Sequence, residues 1–326
     1  MNFAVGCTAL LALAVVAHAD SDASHDAPTP RVVFYAMAAR ADGAIRLANG
    51  RPVDPRDWRT LMLAKVGTQQ LADGTEAPIT CTGTLIGPGG VLTAAHCLDG
   101  GPGVGLATTA GVAVGGDTYI ADCSVAAPYR DAVAAKVWRG RVPRVPQDYA
   151  LCRFKQPDPA PKDLSDLSYE VVEISTALNA GDAALLTGFG CSAISIDADG
   201  AVHTAGFDHK FRVGDARIAA KQAGDPIDYL TVLSGTKEPT LCPGDSGGPL
   251  LSGASAKNQT VPRRVRGVNS AVGPVADDAQ GKRFVSQVAA LAAHDFSTFK
   301  DAWLSTHTDA LVCGVTAAAG APPCAR

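Results

Sequence analysis

Thr82-Gly83-Thr84-Leu85-Ile86 alternates small polar with apolar side chains, the period-two pattern of a half-buried β-strand. Gly87-Pro88-Gly89-Gly90 follows as a turn, and Val91 to Ala95 predicts a second strand that runs directly into His96. Tyr119 to Val125 and Ala150 to Phe154 predict two more strands. Gly100 to Gly116 is rich in Gly, Ala and Thr and reads as a surface loop with weak strand content. Neither a Lys-Ser/Thr pair nor a helix signal follows its glycines, so it is not a phosphate cradle. Pro157, Pro159 and Pro161 mark a connection between two halves of the chain. Residues 20–46 are mixed, with an apolar patch at Val32-Val33-Phe34-Tyr35 that carries no evident chemistry. Phe296 to Leu304 has helical spacing, with Asp295 and Ser297 as its two capping options. The sequence contains no visible internal repeat.

Composition sharpens this picture. The 34 glycines and 21 prolines favour a turn-rich β protein over a helical bundle. With 326 residues, 47% of them hydrophobic, the chain can bury a large core, in one large or two small domains. A net charge of −4 gives no nucleic-acid footprint. Arg139, Arg141 and Arg144, and the cluster Arg263, Arg264 and Arg266, read as solvated loop charges.

Phe3 to Ala17 is almost wholly apolar but shorter than the ~20 residues that span a bilayer. Ala17-His18-Ala19 before Asp20 fits a small-residue cleavage site, so residues 1–19 read as a secretory signal peptide, although the first residues carry no Lys or Arg. The mature chain would be secreted or periplasmic, with no stable membrane anchor. Removal of Cys7 with that segment leaves eight of the nine cysteines, an even number that predicts four disulfides in an oxidising compartment.

The chemistry concentrates in Cys242-Pro243-Gly244-Asp245-Ser246-Gly247-Gly248-Pro249-Leu250. A serine among glycines packs a core poorly, but it stays reachable while the backbone N–H groups of Gly244 and Ser246 converge on an attacked carbonyl oxygen. The bland alternative is a Gly-rich turn between strands. Two further motifs weigh against it: Leu92-Thr93-Ala94-Ala95-His96-Cys97 and Asp148-Tyr149-Ala150-Leu151. Together the three closely resemble the trypsin/chymotrypsin-like serine peptidases, from about Leu47 to about Leu304. The order His96, Asp148, Ser246 also separates this chain from the α/β-hydrolases, whose Gly-x-Ser-x-Gly serine precedes its acid and its histidine.

The resemblance implies an all-β fold of two six-stranded antiparallel β-barrels with a short C-terminal helix. Residues 20–46 would be a propeptide and 47–306 the peptidase domain, with barrel one at about 47–160, barrel two at about 161–292 and the helix at about 295–306. A tail, 307–326, would follow. His96 would be the general base, Asp148 its orienting acid and Ser246 the nucleophile. Asp122 and Asp131 are weaker choices of acid, and His18, His25, His203, His209, His294 and His307 lack comparable context. Residues 192–206 and 252–265 look like surface insertions. Arg46-Leu47-Ala48-Asn49-Gly50 resembles the activation site, and the freed Leu47 ammonium would pair with Asp245. The alternative there is a plain linker.

At the specificity pocket, Thr240 stands where trypsin-like members carry Asp, so cleavage after Lys or Arg is not expected. Val272, two residues after Ser270, would narrow the pocket. Arg283 would favour an acidic P1 residue if it points inward, leave a shallow apolar pocket if outward, or be simply solvated. The family also implies the disulfide Cys81–Cys97 and, across neighbouring strands, Cys123–Cys152. Cys313 and Cys324 would close a local loop. Many relatives pair the cysteine at the Cys242 position with one in the loop 271–282, which here has none, and Cys191 is the best remaining partner. The implied function is a secreted serine endopeptidase acting on protein or peptide substrates, a monomer, activated by another protease, and needing no metal or other cofactor. The other readings are a weakly active or inactive binding or adhesive protein on the same scaffold and, more remotely, an esterase. Asn258-Gln259-Thr260 is a glycosylation sequon.

Overall fold

The computed structural model describes residues 30–36, 47–70, 76–137, 143–197, 201–207, 210–221, 228–275, 278 and 283–325. The signal-peptide reading of residues 1–19, Cys7, Arg46, Arg139, Arg141, His18, His25 and His209 lie outside the described residues. The fold is mostly β, with a C-terminal helix, as the motifs imply.

The first sheet contains β1 (Val33–Ala36), β3 (Leu61–Gln70), β4 (Glu76–Gly87), β5 (Gly90–Thr93), β6 (Thr109–Val114), β7 (Asp117–Val125) and β8 (Ala150–Phe154). They form a closed barrel in the order β1-β3-β4-β5-β8-β7-β6. The barrel has seven strands, one more than the resemblance implies, because the apolar patch before residue 47 enters it. β1 pairs antiparallel with β3 and parallel with β6, and it drives Val32 and Phe34 into the core with no exposed surface. Full burial of side chains of this size contributes about 1.5–3 kcal/mol each. That gain explains why the patch does not stay in solvent. The Gly100 to Gly116 segment likewise ends in a real strand, β6, whose buried positions are Ala110, Gly111, Val112 and Val114.

The second sheet contains β2 (Arg51–Pro52), β9 (Val171–Val172), β10 (Ala183–Gly188), β13 (Arg212–Arg217), β14 (Tyr229–Gly235), β15 (Pro249–Ser252), β16 (Arg264–Pro274) and β17 (Arg283–Ala290). Its order is β14-β17-β16-β15-β10-β13-β2, with β9 beside β16. A single bridge between Ile218 and Val232 brings β13 back to β14, so the longer strands form a ring and the two-residue strands β2 and β9 are additions to it. Residues 192–206 are not a featureless insertion: β11 (Ala193–Ile196) and β12 (Val202–Ala205) form a separate hairpin.

Helix α1 (Ala127–Ala134) follows β7, and α2 (Lys162–Ser165) lies in the connection between the sheets. The C-terminal helix α3 runs from His294 to Thr306. Its N-cap is Ala293 and makes no side-chain cap, so neither Asp295 nor Ser297 serves as one. Asp295 sits in the first turn instead, where a carboxylate faces the positive end of the helix dipole, and accepts a 2.5 Å hydrogen bond from Gln147.

The tail past residue 306 is docked onto the fold. Cys313 N donates to Ile86 O and Cys313 O accepts from Val172 N, each at 2.8 Å, so this short loop links β4 to β9. Disulfides join Cys81 to Cys97, Cys123 to Cys152, Cys191 to Cys242 and Cys313 to Cys324. The cluster Arg263, Arg264 and Arg266 also departs from its loop reading. Arg263 pairs with the buried Glu170 and lies 3.7 Å from the centre of the Trp58 ring, and Arg266 is nearly buried on β16. Arg144 is exposed, in keeping with a solvated charge.

Candidate active site

Two strand ends bring His96 and Asp148 together. β5 ends at Thr93 and passes through Ala94 into a short 3₁₀ turn, Ala95–Leu98, which carries His96. Asp148 lies just before β8, and β5 pairs with β8 so that Thr93 faces Ala150. The Cys81–Cys97 disulfide ties the turn back to β4. Asp148 is buried, at 2% exposure, and grips His96 twice. Its Oδ1 accepts from the His96 backbone N at 2.9 Å and its Oδ2 lies 2.6 Å from Nδ1. This fixes the ring with a proton on Nδ1 and leaves Nε2 as its proton-accepting nitrogen.

Burial alone would push the His96 pKa down. The charge and hydrogen bond of Asp148, with help from the charge of Asp99, outweigh it and hold the pKa above the usual histidine value. Asp122 and Asp131 are not among the groups that act on His96.

Ser246 sits on two consecutive tight turns. Asp245 N donates to Cys242 O across Pro243 and Gly244, and Gly248 N donates to Asp245 O across Ser246 and Gly247. Each turn needs a residue of positive φ at its third position, and Gly244 (φ 103°) and Gly247 (φ 83°) supply it without a Cβ to clash. Thr82 N donates to Ser246 O at 2.7 Å, and Thr82 Oγ1 donates to Gly244 O at 3.0 Å, fastening this loop to the first barrel.

The pattern of backbone donors within the loop decides its chemistry. Asp245, Gly247 and Gly248 all spend their N–H groups on protein carbonyls. Among the described residues, the N–H groups of Gly244 and Ser246 have no acceptor, and neither does the hydroxyl of Ser246. Two free amides flanking a free hydroxyl, beside an oriented imidazole, are the parts of an acyl-transfer site. The trypsin family profile matches residues 48–293. The chain belongs to the trypsin family. No curated protein matches it closely. Among solved structures it is similar to a thermostable serine protease, AL20, from an extremophilic microorganism, at 14% identity over 72% of this chain and 94% of that one, with a TM-score of 0.44. It is also similar to a Glu endopeptidase in complex with MPD, at 15% identity over 68% of this chain and 86% of that one, with a TM-score of 0.39.

The remaining positions of this trypsin-family chain divide by burial. Asp245 is fully buried, and its two oxygens accept from Gly190 N at 2.7 Å and Cys242 N at 2.8 Å. Burial pushes its pKa well above the usual carboxylate range, and the two amides and the charge of Arg212 pull it only part of the way back. Leu47 is buried at 1% exposure among Leu186, Leu241 and Leu250, with its carbonyl accepting from Gly50 N. Thr240 is buried beside Ala48, and its Oγ1 has no hydrogen-bond partner among the described residues. Val272 is half-buried and packs against the Cys191, Cys242 and Phe284 cluster. Arg283 is exposed at the start of β17.

Ser270 stands apart from these pocket positions. Its Oγ donates at 2.6 Å to Asp148 Oδ2, the same oxygen that holds His96, so its contact is with the acid. Residue pattern alone offered no signal for this, nor for Asp99, whose Oδ2 accepts from the buried Tyr129 hydroxyl at 3.1 Å. Among the described residues the one group with metal-ligand spacing is Cys81, His96 and Cys97, and its two sulfurs are joined to each other rather than available as thiolates.

Proposed function

We propose that this chain is a secreted or periplasmic serine endopeptidase that hydrolyses peptide bonds through an acyl-enzyme. Ser246 Oγ attacks the scissile carbonyl while its proton passes to His96 Nε2. The negative oxygen of the tetrahedral intermediate accepts from Gly244 N and Ser246 N. The C–N bond then breaks, the proton on Nε2 goes to the leaving amine, and water repeats the sequence on the acyl-enzyme. Asp148 holds the ring in place and stabilises the imidazolium. The observation that carries this reading is the doubly held His96–Asp148 pair beside a loop in which, among the described residues, Gly244 N, Ser246 N and Ser246 Oγ are the donors left uncommitted.

The uncharged Thr240 disfavours a basic P1 residue, and the exposed Arg283 removes the counter-charge an acidic one would need. A half-buried Val272 narrows what is left, so the preferred P1 is a small apolar residue such as Ala or Val. Activation is by cleavage between Arg46 and Leu47 by another protease. The buried Asp245 supports this, because a carboxylate held at such a cost would be stabilised by a nearby ammonium.

The test is labelling by a fluorophosphonate. Labelling of the wild type and its loss in Ser246→Ala would support the reading. Asp148→Asn should cost about 10⁴ in turnover, a figure carried over from the family's template. A chain that neither labels nor cleaves after processing at Arg46 would instead be a binding protein on a peptidase scaffold.

A further inference from the structure

The segment before Arg46 contributes more than a seventh strand. Arg31, two residues ahead of β1, reaches the loop that follows the His96 turn and leads into β6, the parallel neighbour of β1. Its Nη2 donates to Leu98 O at 2.6 Å and to Gly105 O at 3.1 Å. These two carbonyls lie on opposite sides of one loop neck. Asp99 bridges to Leu106, Ala107 N donates to Leu98 O at 2.7 Å, and Gly100 N donates to Gly105 O at 2.9 Å. Leu98 is the last residue of the 3₁₀ turn that holds His96, and Asp99, the next residue, lends its charge to the His96 ring. Arg31 therefore clamps the neck where the catalytic turn ends.

The strand that presents Arg31 is firmly held. Val33, Phe34, Tyr35 and Ala36 pair with β3, and the first three of them pair with β6 as well. Gly111 N also donates to Val32 O at 2.8 Å. Loss of β1 would open the closed barrel and expose two strand edges and the Phe34 pocket.

We infer that residues 30–36 are a permanent part of the catalytic barrel and that Arg31 is a positioning residue for His96. This inference rests on the peptidase reading above. Processing at Arg46 would then yield a two-chain enzyme whose shorter chain stays bound without a disulfide, since residues 20–46 contain no cysteine.

Arg31→Met in the full chain should lower kcat about tenfold to a hundredfold, the scale for a small misplacement of catalytic groups, while KM stays within about twofold. Arg31→Lys should recover part of the loss, because a single ammonium can still reach one of the two carbonyls. A general loss of structure would instead lower the active fraction, which fluorophosphonate titration counts, and leave kcat per labelled site unchanged. Wild-type kcat per labelled site in Arg31→Met overturns the positioning role. A second measurement does not depend on the variant folding. Active wild-type enzyme, purified under native conditions after processing, should show two N-terminal sequences, one upstream of Arg31 and one beginning at Leu47. Active enzyme with Leu47 as its sole N-terminus overturns the inference. A wild type that never labels rejects the peptidase reading itself, whereas a labelled wild type with an unaffected Arg31→Met rejects only the role of Arg31.

Discussion

The fully buried Asp245 makes a pH-dependent prediction that separates the uncleaved chain from the processed one. Its folded-state pKa is raised above the unfolded value by burial. A carboxyl raised in this way binds its proton more tightly folded than unfolded. Its contribution to stability is therefore greatest below the unfolded pKa of about 4 and declines as pH rises towards the folded pKa. Asp245→Asn removes the charge and keeps the shape. The amide oxygen can still accept from Gly190 N or Cys242 N, but not both, and the lost bond costs about 1–3 kcal/mol. Against this, burying an ion costs several kcal/mol, reduced here by those two amides and by Arg212. The lost bond wins towards the acid end, at about pH 4, where folded Asp245 keeps its proton and no buried charge has to be held, and the variant is less stable by about 1–3 kcal/mol. As pH rises through the folded pKa of Asp245 the removed charge should win, and the variant becomes the more stable of the two. The assay is thermal or urea unfolding of the uncleaved chain, both proteins carrying Ser246→Ala to prevent autolysis, from pH 4 to 9. The His96 pKa is also raised, and its contribution is lost as pH rises through its folded pKa, but it is common to both proteins and cancels in the difference. A stability difference that is flat with pH, or that favours Asp245 more strongly as pH rises, would refute the reasoning.

Other outcomes follow from particular contacts. Ser270→Ala removes a 2.6 Å donor from the oxygen that holds His96 and should lower kcat about tenfold with little change in KM, as read from steady-state kinetics on a peptide library substrate. Replacing Cys191 and Cys242 together by Ala should loosen the turn that carries Gly244 and lower turnover more than the unfolding midpoint, a comparison of kcat with thermal melts. Arg263→Met strands the buried Glu170 without its cation and should destabilise the fold by about 3–5 kcal/mol, as measured by urea unfolding.

The parts of the molecule that the sequence announced are those built from short contiguous runs. Thr93-Ala94-Ala95-His96-Cys97 reads as a strand that ends in a catalytic turn because a few adjacent residues set its conformation. The turns around Ser246 are equally local, since Pro243, Gly244 and Gly247 fix them from within. What stayed hidden depends on distant partners. Val32 and Phe34 form the same kind of apolar patch wherever they pack, and only their pairing with β3 and β6 makes them a barrel strand. Arg263 looks like any loop arginine until Glu170, 93 residues earlier, and the Trp58 ring are brought beside it. Ser270 touches Asp148 across 122 residues of sequence, so its type alone could suggest nothing better than a pocket wall.

The two sides of the Arg46–Leu47 bond are anchored in different halves of the molecule, which gives the proposed activation a physical logic. Residues 31–36 are woven into the first barrel, while Leu47 is packed among the leucines of the second and Ala48 bridges to Thr240. The strand beside Leu47 is the neighbour of the one that ends at Asp245: Val213 and Arg212 of β13 lie against Gly50 and Gly214 against Leu47, while β10, paired with β13, ends at Gly188 against the Asp245 side chain. A cut after Arg46 would move neither anchor. It would free one amine at Leu47, in the same neighbourhood as a carboxyl that burial holds above its ordinary pKa. Pairing would then draw that carboxyl into its ionised form and tighten the turn between Cys242 and Asp245, where Gly244 N is held. In the processed enzyme, Asp245→Asn should therefore reverse sign relative to the uncleaved chain. It should destabilise at pH 7 and lower kcat, because it removes the charge that the new amine would pair with. Unfolding and kinetics on the processed pair provide the measurement. A processed Asp245→Asn enzyme as stable and as active as its parent would show that no such pair forms.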